Sequence, residues 1–381
     1  MHSPIVYLDN NATTRPIPSV VTAVIRALEA DWANPSSMHG LGQEVARTVA
    51  SSREQVAQFL GVRADRVVFT SGATEANEAV LRYYANLGAV LITSTAEHPA
   101  VAGYYFQHAR QLVKTVPLEK SGRWQLSTLE TVLRRTKGPK LIAFAWANGE
   151  TGVLQDLAAI KVLAEHYGAI CLVDASQAVG RVTFVAESGA YLTFSGHKLH
   201  GPKGVGVLVQ PEAVQPVEIT VGGRQERGWR GGTLNVPGIV GLGIACELRK
   251  LVLNSAIANM TQLRDRFETQ VKSAIPDVRV NGADTQRVPN TTNLTVPGVD
   301  GMALVARLEA RGILCSQVSA CSSGQPEPSR TLLAMGLSRD DAYASLRIAV
   351  AVDTTEDEVM FAAQALVDEA LYLREMMGGF Q

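Results

Sequence analysis

Ile170-Cys171-Leu172-Val173-Asp174 is a run of four apolar residues closed by an acid, and it decides the fold. Upstream lies a second apolar run, Leu141-Ile142-Ala143-Phe144-Ala145-Trp146. Between them, Leu157, Ile160, Leu163 and Ala164 recur at helical spacing, and Gly168 stops the pattern. Continuous apolar strands separated by amphipathic helices describe a largely parallel sheet covered on both faces. The alternation extends from about residue 55 to 210. Val67–Thr70 leads into a helical stretch ending near Leu87, Ala89–Thr93 is the next strand, and Tyr191–Phe194 a later one. The fold class is α/β, and in such sheets ligands sit at the carboxyl ends of the strands.

Further out, the composition turns Gly/Arg-rich at Gly222–Thr233, and a long helical region then runs from about Val236 to Ile275. A smaller α/β pattern follows Pro276. Its strands are expected near Thr291–Val296 and Leu346–Ala351, and its helices near Gly301–Arg311 and Thr355–Met376. The expected division is an N-terminal segment, 1–15, that packs with the small domain, a large domain, 16–255, and a small C-terminal domain, 256–381.

A chain of 381 residues with 46% hydrophobic and 19% charged residues suits two such cores. Its formal net charge is −1, and its basic residues form no runs, so neither nucleic acid nor an anionic membrane is an expected partner. No segment approaches the roughly 18 consecutive apolar residues of a membrane span, and Met1–Asp9 does not resemble a secretion signal. Four widely spaced cysteines (171, 246, 315 and 321) form neither a disulfide framework nor a metal-site spacing. A cytoplasmic location and no metal are therefore expected.

The chemistry gathers at strand ends. Thr193-Phe194-Ser195-Gly196-His197-Lys198 carries a strand into a polar turn ending in Lys, with Gly201 and Gly204 beyond. A lysine held there can form a Schiff base while Ser195 and His197 bind a phosphate; taken alone, it reads as a surface lysine in a Gly-rich loop. Asp174 adds the acidic partner that the pyridine nitrogen of pyridoxal phosphate (PLP) requires, although an Asp there also caps helices. Gln177 fits either a ligand of the cofactor's phenolic oxygen or an ordinary helix residue. Ser71-Gly72-Ala73-Thr74 opens a helix and so offers backbone N–H groups to an anion, or a simple N-cap. His98 also follows a strand, placed to stack on a flat ring or to serve the structure alone. Cys321 lies among small polar residues, Ser319–Pro326, that suit an exposed loop and a reactive thiol, whereas Cys171 and Cys246 lie in apolar runs and Cys315 at a strand end.

Together, Tyr7-Leu8-Asp9-Asn10-Asn11-Ala12-Thr13-Thr14, Ser71–Asn77, Glu97-His98, Val173–Gln177, Ser195–Gly204, Gln225–Thr233, Ser319–Ser323 and Ser345-Leu346-Arg347 resemble the NifS/IscS-like cysteine desulfurases, within the class V aminotransferases. The resemblance implies the PLP-dependent transferase fold type I and a homodimer. It implies conversion of L-cysteine to L-alanine, with the sulfur passing to Cys321 as a persulfide and then to an acceptor protein in iron–sulfur cluster assembly or another sulfur-transfer pathway. By the same resemblance, Lys198 is the Schiff-base lysine, Asp174 the partner of the pyridine nitrogen, Gln177 the ligand of the phenolic oxygen and His98 the stacking residue. Ala73, Thr74, Ser195 and His197 hold the phosphate, and Thr233 reaches it from a second subunit. Arg347 and Asn148 bind the substrate. One departure is Asn148-Gly149-Glu150, where the family usually reads Asn-Asn-Glu. Two rival readings are another PLP transaminase or β-lyase, in which Cys321 is incidental, and a non-catalytic sulfur-handling scaffold subunit.

Overall fold

In the central strands of the large sheet, side chains alternate between two buried faces, which is why Leu141–Phe144 and Cys171–Val173 read as apolar runs. The computed structural model describes residues 5–183, 189–212, 214–317 and 327–378. A short strand, β1 (Val6–Tyr7), precedes the helices α1 (Pro18–Ala30) and α2 (Gly40–Leu60). There follow β2 (Val67–Thr70), α3 (Ala73–Asn86), β3 (Val90–Thr93), α4 (Pro99–His108), β4 (Val113–Thr115) and α5 (Leu126–Arg135). The large sheet is completed through β5 (Lys140–Ala145), α6 (Leu157–His166), β6 (Ile170–Asp174), β7 (Ala190–Ser195) and β8 (Gly206–Val209). Its seven strands run in the order β2-β8-β7-β6-β5-β3-β4. All neighbours pair in parallel except at β8, which is antiparallel to both β7 and β2.

Cys171 and Val173 face one core, with Val45 and Val49 of α2, Leu129 of α5 and Ile160 of α6. Leu172 faces the other, with Val80 of α3 and Val101 and Tyr105 of α4. Side chains of a strand alternate between faces, so burying both leaves no polar position within β6 until its last residue, Asp174.

The continuous helix α7 (Val236–Ala274) leads to β9 (Arg279–Val280), β10 (Thr291–Thr295), α8 (Gly301–Ala310) and β11 (Ile313–Leu314). Then come α9 (Arg330–Ala334), α10 (Arg339–Tyr343), β12 (Ser345–Ala349) and α11 (Glu356–Gly378). Along α7, Ile239, Leu242 and Cys246 belong to the first core. Ala256, Met260, Leu263, Phe267 and Val271 belong to a separate one, with Leu294, Leu304, Leu346 and Leu366. Val6 and Leu8 join this second core, and β1 pairs in parallel with β11. The sheet of the second unit, β12-β10-β9, is antiparallel. From β1 the chain crosses to the carboxyl ends of the large sheet, placing Asp9–Thr14 between the two units.

Candidate active site

β7 ends at Ser195, and the 3₁₀ turn Gly196–Lys198 swings Lys198 back toward the N-terminal segment. Its Nζ donates to the carbonyls of Asn11 (2.5 Å) and Ala12 (2.8 Å). Burial and the neighbouring Arg181 and Arg347 push this lysine down to about 8, against the pull of Asp174 and Asp9. On the adjacent strand, Asp174 is buried at the end of β6. Its Oδ2 accepts from Asn77 Nδ2 (2.8 Å) and its Oδ1 from Ser176 N (2.9 Å), while Asn77 Oδ1 accepts from Thr193 Oγ1 (2.6 Å). Among the described residues the aspartate is thus fixed by neutral donors, with no cation bonded to it, and its remaining lone pairs can receive a cationic N–H.

At the next strand end, the Ser71-Gly72 turn opens α3. Ser195 Oγ accepts from Ala73 N (2.8 Å), which leaves its own hydrogen for an oxyanion. Thr74 stands exposed in the first turn. His197 Nδ1 lies 3.1 Å from Thr13 Oγ1, and burial with Lys198 and Lys203 nearby lowers the imidazole to about 4, so at neutral pH it is uncharged. Backbone N–H groups, two hydroxyls and a neutral imidazole together suit a phosphate group. Arg230 of the Gly-rich loop is tied to this turn: its Nε donates to Glu75 Oε1 (3.0 Å), and Glu75 Oε2 accepts from Ser71 N (2.5 Å).

His98 caps α4, its Nδ1 accepting from Ala100 N (3.1 Å), so the ring carries its proton on Nε2. Burial lowers its pKa, and Asp174 opposes the shift. Glu97, beside it, accepts from Trp124 Nε1 (3.1 Å) and Ala145 N (2.8 Å), and burial pushes it up to about 8. Gln177 donates from Nε2 to Asn11 O (3.0 Å) and accepts from Arg181. Arg347, in β12, donates from Nη1 to Gly149 O (2.9 Å) and from Nη2 to Asp9 Oδ1 (2.5 Å). Two buried polar atoms in this region find no partner among the described residues: Arg347 Nε and Ser176 Oγ. An arginine edge without an acceptor fits an incoming carboxylate.

Lys198, Asp174, Gln177, His98, Ser195, Ala73, His197 and Arg347 therefore surround one region between the two units. Asn148 does so only in part, because its Oδ1 closes a local turn onto Glu150 N, Thr151 N and Thr151 Oγ1. Only its amide nitrogen is left for a substrate. Thr233 is exposed on the Gly-rich loop and bonds to none of these residues. Cys321 lies outside the described residues. The role of Asn11 is a finding of the structure. Its carbonyl accepts from Lys198 and Gln177, and its side chain bonds Gly149 O and Thr291 Oγ1. The cluster of short amides and hydroxyls at Asn10–Thr14 was its one visible trace.

The family model for aminotransferase class-V matches residues 6–361. A protein named cysteine desulfurase from Trichormus azollae is 42% identical over 93% of this chain and 90% of its own length. The cysteine desulfurase NifS of Azotobacter vinelandii is 35% identical over the same shares. Among solved structures, a NifS-like protein aligns with a TM-score of 0.88 at 32% identity, covering 97% of this chain and all of its own. A NifS-like protein from Rickettsia africae has the same TM-score at 28% identity, covering 96% and 99%. The chain belongs to the class-V aminotransferases and, within them, to the cysteine desulfurase family.

Proposed function

We propose that this protein is a PLP-dependent cysteine desulfurase that converts L-cysteine to L-alanine and passes the sulfur to Cys321 as a persulfide. The family is PLP-dependent, and the residues present fit the group. An anion turn stands at one end, an aspartate held by neutral donors lies beside the lysine, and two buried donors that find no partner among the described residues lie nearby. Lys198 would anchor the cofactor covalently, Asp174 would face its ring nitrogen and Gln177 its phenolic oxygen. His98 would stack on the ring. Ala73, Thr74, Ser195 and His197 would hold the phosphate, joined by Thr233 of a second copy. When bound, PLP supplies an electron sink for the α-carbon of an amino acid.

The protein's own residues do the rest. Arg347 and the Asn148 amide orient the substrate through its carboxylate. Lys198 Nζ, poised near neutrality, carries a proton to and from the α-carbon. His98 would take a thiol proton at Nδ1, its unprotonated nitrogen, which must first give up its bond from Ala100 N. Cys321 Sγ, as thiolate, attacks the substrate sulfur: the Cβ–S bond breaks, an S–S bond forms, and Cβ gains a proton. L-Cysteine and one protein thiol become L-alanine and one persulfide, with no outside oxidant. Burial supports the choice of thiol, because it raises Cys171 and Cys315 to about 12 and Cys246 higher still. The persulfide sulfur then passes to an acceptor protein, and the free thiols suit a reducing compartment such as the cytoplasm.

The observation that carries this reading is the half-buried lysine in the turn that follows the strand next to Asp174, both at the same end of the sheet as an anion turn. Alanine and persulfide are to be assayed together in the purified protein and in Cys321→Ala. The expected outcome is alanine and a protein persulfide from the former and neither from the latter. Full turnover in Cys321→Ala would instead identify a transaminase or β-lyase, and a colourless protein that cannot take up PLP a scaffold subunit.

A further inference from the structure

Within the N-terminal run Tyr7–Thr14, the Asp9 side chain bonds Arg347, the residue read as binding the substrate. Arg347 is held at two of its three nitrogens, Nη1 by Gly149 O and Nη2 by Asp9 Oδ1 at 2.5 Å. The third, Nε, is buried and has no acceptor among the described residues. Asp9 is itself pinned to the strand that carries Arg347. It bridges Ala349, Ala349 N donates to Leu8 O (2.7 Å), and Tyr7 OH donates to the Asp9 carbonyl (3.1 Å). The backbone of Asp9 is therefore fixed against the strand that carries Arg347. Side-chain exposures of 12% for Arg347 and 23% for Asp9 place the pair beyond the screening that makes surface pairs weak.

We propose that Asp9 is a specificity-determining positioning residue, which fixes the Arg347 guanidinium so that its unpaired edge receives the α-carboxylate of the amino acid. An arginine held at two points loses little further rotamer freedom when the ligand arrives, so the selectivity for a carboxylate rests partly on Asp9. A second anion is tolerated there because Arg181 and Arg347 both lie close enough to Lys198 to be felt at it. This inference rests on the reading that Arg347 binds the substrate carboxylate.

The test uses the PLP-loaded enzyme and its Asp9→Asn, Asp9→Glu and Arg347→Lys variants. KM and kcat are measured for L-cysteine, together with the affinity for cysteamine, which keeps the amine and thiol but lacks the carboxylate. Losing one charge-assisted hydrogen bond is expected to raise KM for L-cysteine about tenfold in Asp9→Asn. Its kcat and its affinity for cysteamine should stay within about twofold, and Asp9→Glu should recover part of the loss. An unchanged KM in Asp9→Asn, with a raised KM in Arg347→Lys, overturns the inference and leaves the Arg347 reading standing. An unchanged KM in Arg347→Lys overturns both. Equal weakening of L-cysteine and cysteamine in Asp9→Asn assigns Asp9 to the general architecture and also overturns the proposal. If Asp9→Asn does not fold, the same comparison is made with Asp9→Glu, where discrimination equal to wild type overturns it.

Discussion

At the scale of single residues, the site turns on how burial sets protonation. Lys198 is lowered to about 8, chiefly by burial, so the amine that must attack a carbonyl is present in quantity near neutral pH. Only the unprotonated form reacts. The rate at which cofactor-free protein captures PLP should therefore rise with pH and level off above about 8. A rise continuing toward 10 would show that the lysine is not depressed. Lys198→Ala should abolish both covalent capture, read as the visible absorbance band, and turnover. Gly149 is the other informative residue. A Cβ built there meets Gln177 Nε2 at 3.4 Å and Gln177 Cγ at 3.6 Å, ordinary contact, and the backbone is not left-handed. An asparagine thus fits beside the side chain that would hold the phenolic oxygen. One added bond to a charged acceptor is worth about 1.5–3 kcal/mol. Gly149→Asn is expected to slow PLP loss on dialysis about tenfold or more. It should also lower the spectroscopic pKa of the bound cofactor, because the new donor favours the ionised phenolate. Unchanged dialysis and titration would mean that the place is already filled.

At the scale of elements, the packing of β8 against β2 sets the anion turn. A Cβ at Gly206 would lie 2.5 Å from Gly72 Cα and 2.8 Å from Phe194 O, backbone atoms that move only with their strands. Gly206→Ala should push the Ser71-Gly72 turn away from Ser195, break the Ala73–Ser195 bond and weaken PLP retention. Equilibrium dialysis against wild type checks this, and equal retention would show that the turn adapts. β8 itself was not legible in the sequence, because four residues opening on a glycine after a Gly-rich loop carry no strand signal. β6 was legible to within a residue, since burial on both faces leaves an unbroken apolar run with an acid at its end. Along α7 the buried residues change core between Cys246 and Ala256, inside one continuous helix, a change that leaves no mark on local sequence. The strand-end residues of the site could be found because each directly follows an apolar run. The pairing of Asp9 with Arg347 could not, because 338 positions separate them and no local pattern links the two. The carbonyls that receive Lys198 were equally hidden, since a backbone acceptor leaves no trace in residue identity.

At the scale of the molecule, one face of the chain asks for a partner. Val21, Ile25, Leu28 and Trp32 fall at i, i+4, i+7 and i+11 along α1 and just beyond it, and all are exposed, Trp32 by 72%. Leu251 and Val252 are exposed on α7, against which α1 packs. An amphipathic helix normally turns such a stripe inward, and an exposed one marks an association surface. We propose that a second copy covers it, in a homodimer whose Gly-rich loops each lend Thr233 to the other's phosphate site. The loop is braced for this: Glu226 and Arg227 adopt left-handed conformations, at φ 47° and 61°. The buried Glu226 carboxylate bonds both Arg53 and Phe69 N, holding the loop to the base of the anion turn. Leu28→Glu combined with Trp32→Glu should then give a monomer by light scattering. That monomer should retain PLP poorly although every PLP-binding residue of its own chain is intact. A monomer with full PLP occupancy would show that each chain completes its phosphate site alone. An unchanged dimer would place the interface elsewhere. Thr233→Ala separates the two contributions, since it should weaken PLP retention and leave the dimer whole.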